Sequence, residues 1–103
     1  MPGSYWKTVK SGATQRNLEF AITAKFAWDL FKKQHGKCNL SGVELSFDPL
    51  TASLDRIDSS KGYTEDNVQW VHRTINKMKN DIDQTVFLEF CSMVTKENSN
   101  GRN

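Results

Sequence analysis

Along most of the chain apolar residues recur at helical spacing, and near the middle they alternate with polar ones. Ser4 is placed to cap a first helix reaching about Arg16, with Trp6, Val9 and Ala13 on one side and Gly12 as its weak point. Residues 18–22 read as extended. Thr23 then caps a second helix with the stripe Phe26, Ala27, Leu30 and Phe31; Lys32 and Lys33 suit its C-terminal end, and Gly36 stops it. Residues 38–42 read as a tight turn. Val43, Leu45 and Phe47 alternate with polar neighbours, which predicts a strand over 43–47 that Asp48-Pro49 breaks. A second strand is predicted over 52–57, paired with the first as a hairpin, and 58–63 is a loop. A third helix is expected from about 64–67 to Asn80 on the stripe Val68, Val71, Ile75 and Met78, bordered by Gln69, His72, Asn76 and Asn80. Asp83 is placed to cap a last helix with the core face Val86, Phe87, Phe90, Cys91 and Val94. The order is helix, helix, strand, strand, helix, helix.

A length of 103 residues fits one domain, expected over 1–96 with a core at 38–80 and a polar, disordered tail at 97–103. Hydrophobic residues make up 37% and charged residues 25%, the balance of an ordinary globular protein. No apolar run reaches the length of a membrane span, and no signal-peptide pattern opens the chain, so the expected setting is cytoplasmic, without a membrane partner. The two cysteines, Cys38 and Cys91, are too few and too far apart for a disulfide framework. A net charge of +2 does not by itself imply a nucleic-acid partner. Its distribution is less even: residues 1–40 carry seven basic side chains against Glu19 and Asp29. That third is either a footprint for phosphates or a solvated helix surface.

The chemistry lies in the stretch 53–79. It contains Ser53-Leu54-Asp55-Arg56-Ile57-Asp58, then Lys61-Gly62-Tyr63, Asp66-Asn67-Val68-Gln69-Trp70-Val71, and finally Asn76 and Lys79. A carboxylate ending a short strand, facing a helix that offers an amide oxygen, gives two oxygen ligands with open positions. Such a set suits a hard cation like Mg²⁺, which keeps waters and accepts phosphate oxygens.

These residues resemble the HNH endonucleases, the ββα-metal or His-Me-finger nucleases. The nearest likeness is to the small phage and bacterial subgroup that has Asp-Arg-Ile in place of Asp-His-Ile. The likeness is strongest over residues 38–79. The family pattern is an acid or His followed by His on the second strand, an Asn opening the helix, and a His or Asn nine residues later. Here the matching residues are Asp55-Arg56, Asn67 and Asn76, the last two nine apart.

The resemblance implies an α+β fold, a ββα-metal core with two preceding helices and one C-terminal helix. It implies metal-dependent hydrolysis of DNA phosphodiester bonds, by nicking or double-strand cleavage, in a bacterial or phage-infected cell. One divalent cation, Mg²⁺ or Mn²⁺, would sit on Asp55 and Asn76, and Asn67 would pin the loop beside Asp55. Arg56 departs from the pattern. A guanidinium cannot act as the general base that the usual His supplies, but it can hold the phosphate. The alternative for Arg56 is an ion pair with Asp58 or Asp55. The base is left open among Tyr63, Asp58, His72 and metal-ionised water; His72 is otherwise a histidine at the core border. Cys38 and His72 fall where relatives carry a zinc knot, but two ligands make no closed zinc site, so no structural zinc is expected. Lys61, Arg73, Lys77 and Lys79 would contact DNA phosphates or simply solvate the surface. Trp70 and Phe47 are assigned to the core. The expected partner is DNA, and the expected state is a monomer or weak homodimer. The alternative is an HNH-like module that binds DNA without cutting it.

Overall fold

A computed structural model describes residues 1–99. Its elements are α1 (Gly3–Gln15), α2 (Ala24–Lys33), β1 (Ala52–Arg56), β2 (Val68–His72), α3 (Arg73–Lys79) and α4 (Gln84–Ser99). The fold is mixed α+β: four helices and one two-stranded antiparallel sheet among the described residues. None of these helices is long and apolar enough to cross a membrane.

The ribbon β1–β2 has two different faces, because strand side chains alternate and paired residues share a side. In its register Leu54 lies opposite Trp70, and Asp55 opposite Gln69. Ala52, Leu54, Val68 and Trp70 therefore point one way, into a core with Ala13 of α1, Ala27 of α2, Ile22 and Tyr63. Ser53, Asp55, Gln69 and Val71 point the other way, toward α3.

Both ribbon edges are closed by side chains from the N-terminal helices. The Leu54 amide donates to the hydroxyl of Tyr5 on α1, at 2.9 Å. On the other edge, Gln34 stands in for a strand: its Oε1 accepts from the Trp70 amide and its Nε2 donates to the Trp70 carbonyl. The Trp70 indole N–H donates to the Ala27 carbonyl at 2.8 Å. Backbone groups that would otherwise be buried without partners are thus satisfied.

The helical readings at the start of the chain match the structure, with one change at the N-terminus of α1. α1 begins at Gly3 behind Pro2, which places Ser4 inside the helix, and it passes through Gly12 unbroken. The Thr23 hydroxyl caps α2 by accepting from the Phe26 amide. Residues 43–47 do not form a strand. Their neighbours find backbone partners in several places, giving only the isolated bridges Lys37↔Glu44 and Phe47↔Leu50. The hairpin partner of β1 is instead β2, lying within the expected third helix, so the true helix is only the seven residues of α3. Asn67 consequently sits in the loop before β2 rather than opening a helix.

α4 begins as expected, with the Asp83 carboxylate accepting from the Val86 amide at 3.2 Å. Its expected core face is not buried as a whole. Phe87 is buried and Cys91 half-buried, whereas Val86, Phe90 and Val94 are exposed, the last two at 60% and 62%. Residues 97–99 continue this helix instead of fraying. The rest of the expected tail, 100–103, lies outside the described residues.

One close approach fixes the extended segment 18–22 against the loop after β1. The Tyr63 amide donates to the Glu19 carbonyl, and the Ala21 amide to the Tyr63 carbonyl, at 2.7 and 2.8 Å. A Cβ on Gly62 would lie 2.6 Å from the Glu19 carbonyl oxygen. Gly62→Ala is therefore expected to lower stability by about 1–3 kcal/mol in urea unfolding. An unchanged midpoint would contradict this packing.

Candidate metal and phosphate site

β1 and one side of α3 enclose a cleft of about 450 Å³. From β1 it is lined by Leu54, Asp55 and Arg56, and from the α3 side by Arg73, Asn76, Lys77 and Asn80, an i, i+3, i+4, i+7 set on one helix face. Arg16, Ser59, Tyr63 and Asp81 complete the wall. Four cationic side chains thus face the cleft, against two carboxylates.

Asp55 is 5% exposed and rigidly oriented. Its Oδ2 accepts from Gln69 Nε2 at 2.9 Å and from Lys79 Nζ at 2.5 Å. Its Oδ1 has no hydrogen-bond partner among the described residues, and no buried side-chain oxygen there is left unsatisfied, so this oxygen is open to solvent in the cleft. Asn76 is arranged alike. Its Nδ2 donates to Ser53 Oγ at 2.7 Å, leaving its Oδ1 free. Ser53 and Asp55 are two apart on one strand face, so this bond draws the Asn76 amide toward Asp55. The two expected ligands share one cleft, each offering a single oxygen whose partner atom is held by a neighbour. That arrangement is how supporting residues orient metal ligands.

Lys79 is not a phosphate contact. It is 0% exposed, and its ammonium donates to Asp55 Oδ2, to the Arg56 carbonyl at 2.9 Å and to the Ile57 carbonyl at 3.3 Å. One face of α3 carries Lys79 inward under the ribbon and the other carries Arg73 and Lys77 to the cleft. Lys61 lies on the exposed loop outside the cleft wall.

Arg56 forms no ion pair with Asp55 or Asp58 among the described residues. Its Nη1 donates to the carbonyls of Ser59 and Lys61, at 2.6 and 2.9 Å, and its guanidinium lies 5.6 Å from the Tyr63 ring centroid. The loop thereby holds the guanidinium on the cleft wall. Asn67 pins the same loop. Its Oδ1 accepts from the Asp58 amide, and its Nδ2 donates to the carbonyls of Asp58 and Gly62.

His72 is not brought to the cleft. It caps α3, with Nδ1 accepting from the Thr74 amide at 3.1 Å, three residues along the ribbon from the Asp55–Gln69 pair. Asp58 is held by bonds from the Ser60 hydroxyl and amide, which lower its pKa below the ordinary carboxylate value. That makes it a weaker proton acceptor. Of the three side chains considered as base, Tyr63 lies in the cleft, where its hydroxyl accepts from Arg16 Nη2 at 3.3 Å. Arg16 was not singled out from the sequence, since it lies far from the motif along the chain. It reaches the site because the loop carrying Tyr63 packs behind the end of α1.

No known protein family matches the chain, and no curated protein or solved structure does.

Asn67→Ala removes three loop bonds and is expected to cost about 1–3 kcal/mol. Amide exchange at Asp58 should accelerate accordingly, and unchanged exchange would show that the loop is held by other contacts. Because the folded pKa of Asp58 is depressed, its stabilising contribution is present above its ordinary value of 3.8 and is lost as pH falls through the lower folded value. An NMR titration of its carboxyl carbon should give a midpoint below 3.8 that rises in Ser60→Ala.

Proposed function

We propose that this chain is a divalent-metal-dependent endonuclease that hydrolyses DNA phosphodiester bonds, built on a ββα-metal core of β1, β2 and α3. The reading is carried by one observation: Asp55 Oδ1 and Asn76 Oδ1 are both free in a single cleft whose remaining charged lining is mostly cationic. A neutral amide oxygen and one carboxylate oxygen, with room beside them, fit a hard divalent cation that also takes substrate oxygens. When bound there, the cation polarises a phosphoryl oxygen and stabilises the departing 3′ oxygen.

The chain's own residues have separable tasks. Gln69 and Lys79 fix the Asp55 carboxylate, and Ser53 fixes the Asn76 amide. Arg56 has one nitrogen committed to the loop and presents the rest of its guanidinium to the cleft, where it meets an anionic phosphate. Arg73 and Lys77 extend this positive wall along α3 and attract the backbone without reading bases. Asn67 keeps Arg56 in place through the loop. Of the side chains considered as base, Tyr63 is the one that lines the cleft; otherwise a metal-ionised water would serve.

Plasmid nicking with Mg²⁺ or Mn²⁺ tests this reading. Asp55→Asn keeps the volume of a buried side chain and is the variant of choice, because Asp55→Ala would leave the Lys79 ammonium buried in an empty space. Asp55→Asn and Asn76→Ala are each expected to lower metal-dependent nicking by more than about a hundredfold. DNA binding with no nicking under either metal would favour a binding module, and nicking unaffected by both variants would overturn the assignment.

A further inference from the structure

We infer that the buried Lys79 ammonium is a positioning residue that makes cation binding at Asp55 depend on a phosphate in the cleft. The inference rests on the metal reading of Asp55 and Asn76 and adds a control on it. Three observations carry it. The ammonium lies 2.5 Å from Asp55 Oδ2, and both side chains are buried, so water screens the pair little. All three ammonium protons are used, by Asp55 and by the Arg56 and Ile57 carbonyls, so Lys79 has no alternative place to go. Around the open Oδ1, the second ligand is a neutral amide, and the cleft adds Arg16, Arg56, Arg73 and Lys77 against Asp81.

A divalent cation entering this site alone meets a carboxylate whose charge is already offset, inside a positive wall. Sites that hold such ions without substrate normally bring several carboxylates. A phosphate changes the balance, because it supplies an anionic oxygen and neutralises the arginines at once. Cation and phosphate then each strengthen the binding of the other by the same factor, as linkage requires. The charge of Lys79 thus favours a cation held only together with its substrate.

The test uses the whole chain, Mn²⁺ and thymidine 3′,5′-bisphosphate, which offers phosphates without a bond between nucleotides to cut. With free Mn²⁺ set by a metal buffer, paramagnetic broadening of the Asn76 and Gln69 side-chain amides reports occupancy. The wild-type Mn²⁺ affinity is expected to rise at least about tenfold when the bisphosphate is saturating. The bisphosphate affinity should rise by the same factor with Mn²⁺, a measurement that needs no variant. In Lys79→Met the affinity for Mn²⁺ alone should increase and the dependence on bisphosphate should shrink to under about threefold. Equal wild-type affinity with and without bisphosphate would overturn the inference while leaving the metal site standing. So would a folded Lys79→Met protein with wild-type coupling. Absence of broadening in both conditions would remove the metal site itself.

Discussion

A ribbon of two five-residue strands cannot hold itself together in water. Everything else in this chain is arranged around that constraint. One face is covered by the core that α1 and α2 close, with Trp70 fully buried at its centre; the other is covered by α3. The two edges are occupied by Tyr5 and Gln34, whose side chains do what further strands would do in a larger sheet. Burial on all sides is what allows an acid, an amide and an ammonium to be fixed within a domain of modest size.

The polar face of the ribbon is unusual for the interior of a small protein. Asp55, Gln69 and Lys79 are all buried, and none of their fully buried side-chain atoms lacks a partner among the described residues. A buried ion pair adds little net stability over an apolar pair of the same shape, but losing one partner costs about 3–5 kcal/mol. The pair therefore acts less as a source of stability than as a constraint on geometry. It holds the carboxylate at a single orientation, with one oxygen turned inward and the other toward the cleft. Asn76, tethered by Ser53, obeys the same logic. The candidate site is in this sense prepared before any ligand arrives.

α4 is the element least explained by this scheme. Its amphipathic spacing suggests a buried stripe, yet Phe87 carries most of its burial, and Phe90, Met93 and Val94 face outward. Periodicity identified the helix and its cap correctly, because both are local properties. How much of a stripe is covered depends on what packs over it, which no local pattern encodes.

Local chemistry determined the body of α1, both α2 and α4 with their caps, and the candidate ligands. Thr23 and Asp83 cap because their oxygens meet amides three residues on, and Asp55, Asn67 and Asn76 stand out by type and spacing. The tertiary structure alone decided which segment pairs with β1. Residues 68–72 are buried almost throughout, so the alternation that marks a strand is erased, and the spacing of Val68, Val71 and Ile75 imitates a helix. Conversely, 43–47 alternate well but meet no continuous partner. The inward turn of Lys79 was equally beyond the sequence. A lysine beside other basic residues on a helix looks solvated, and only the fold brings a buried carboxylate and two strand-end carbonyls within reach of its ammonium.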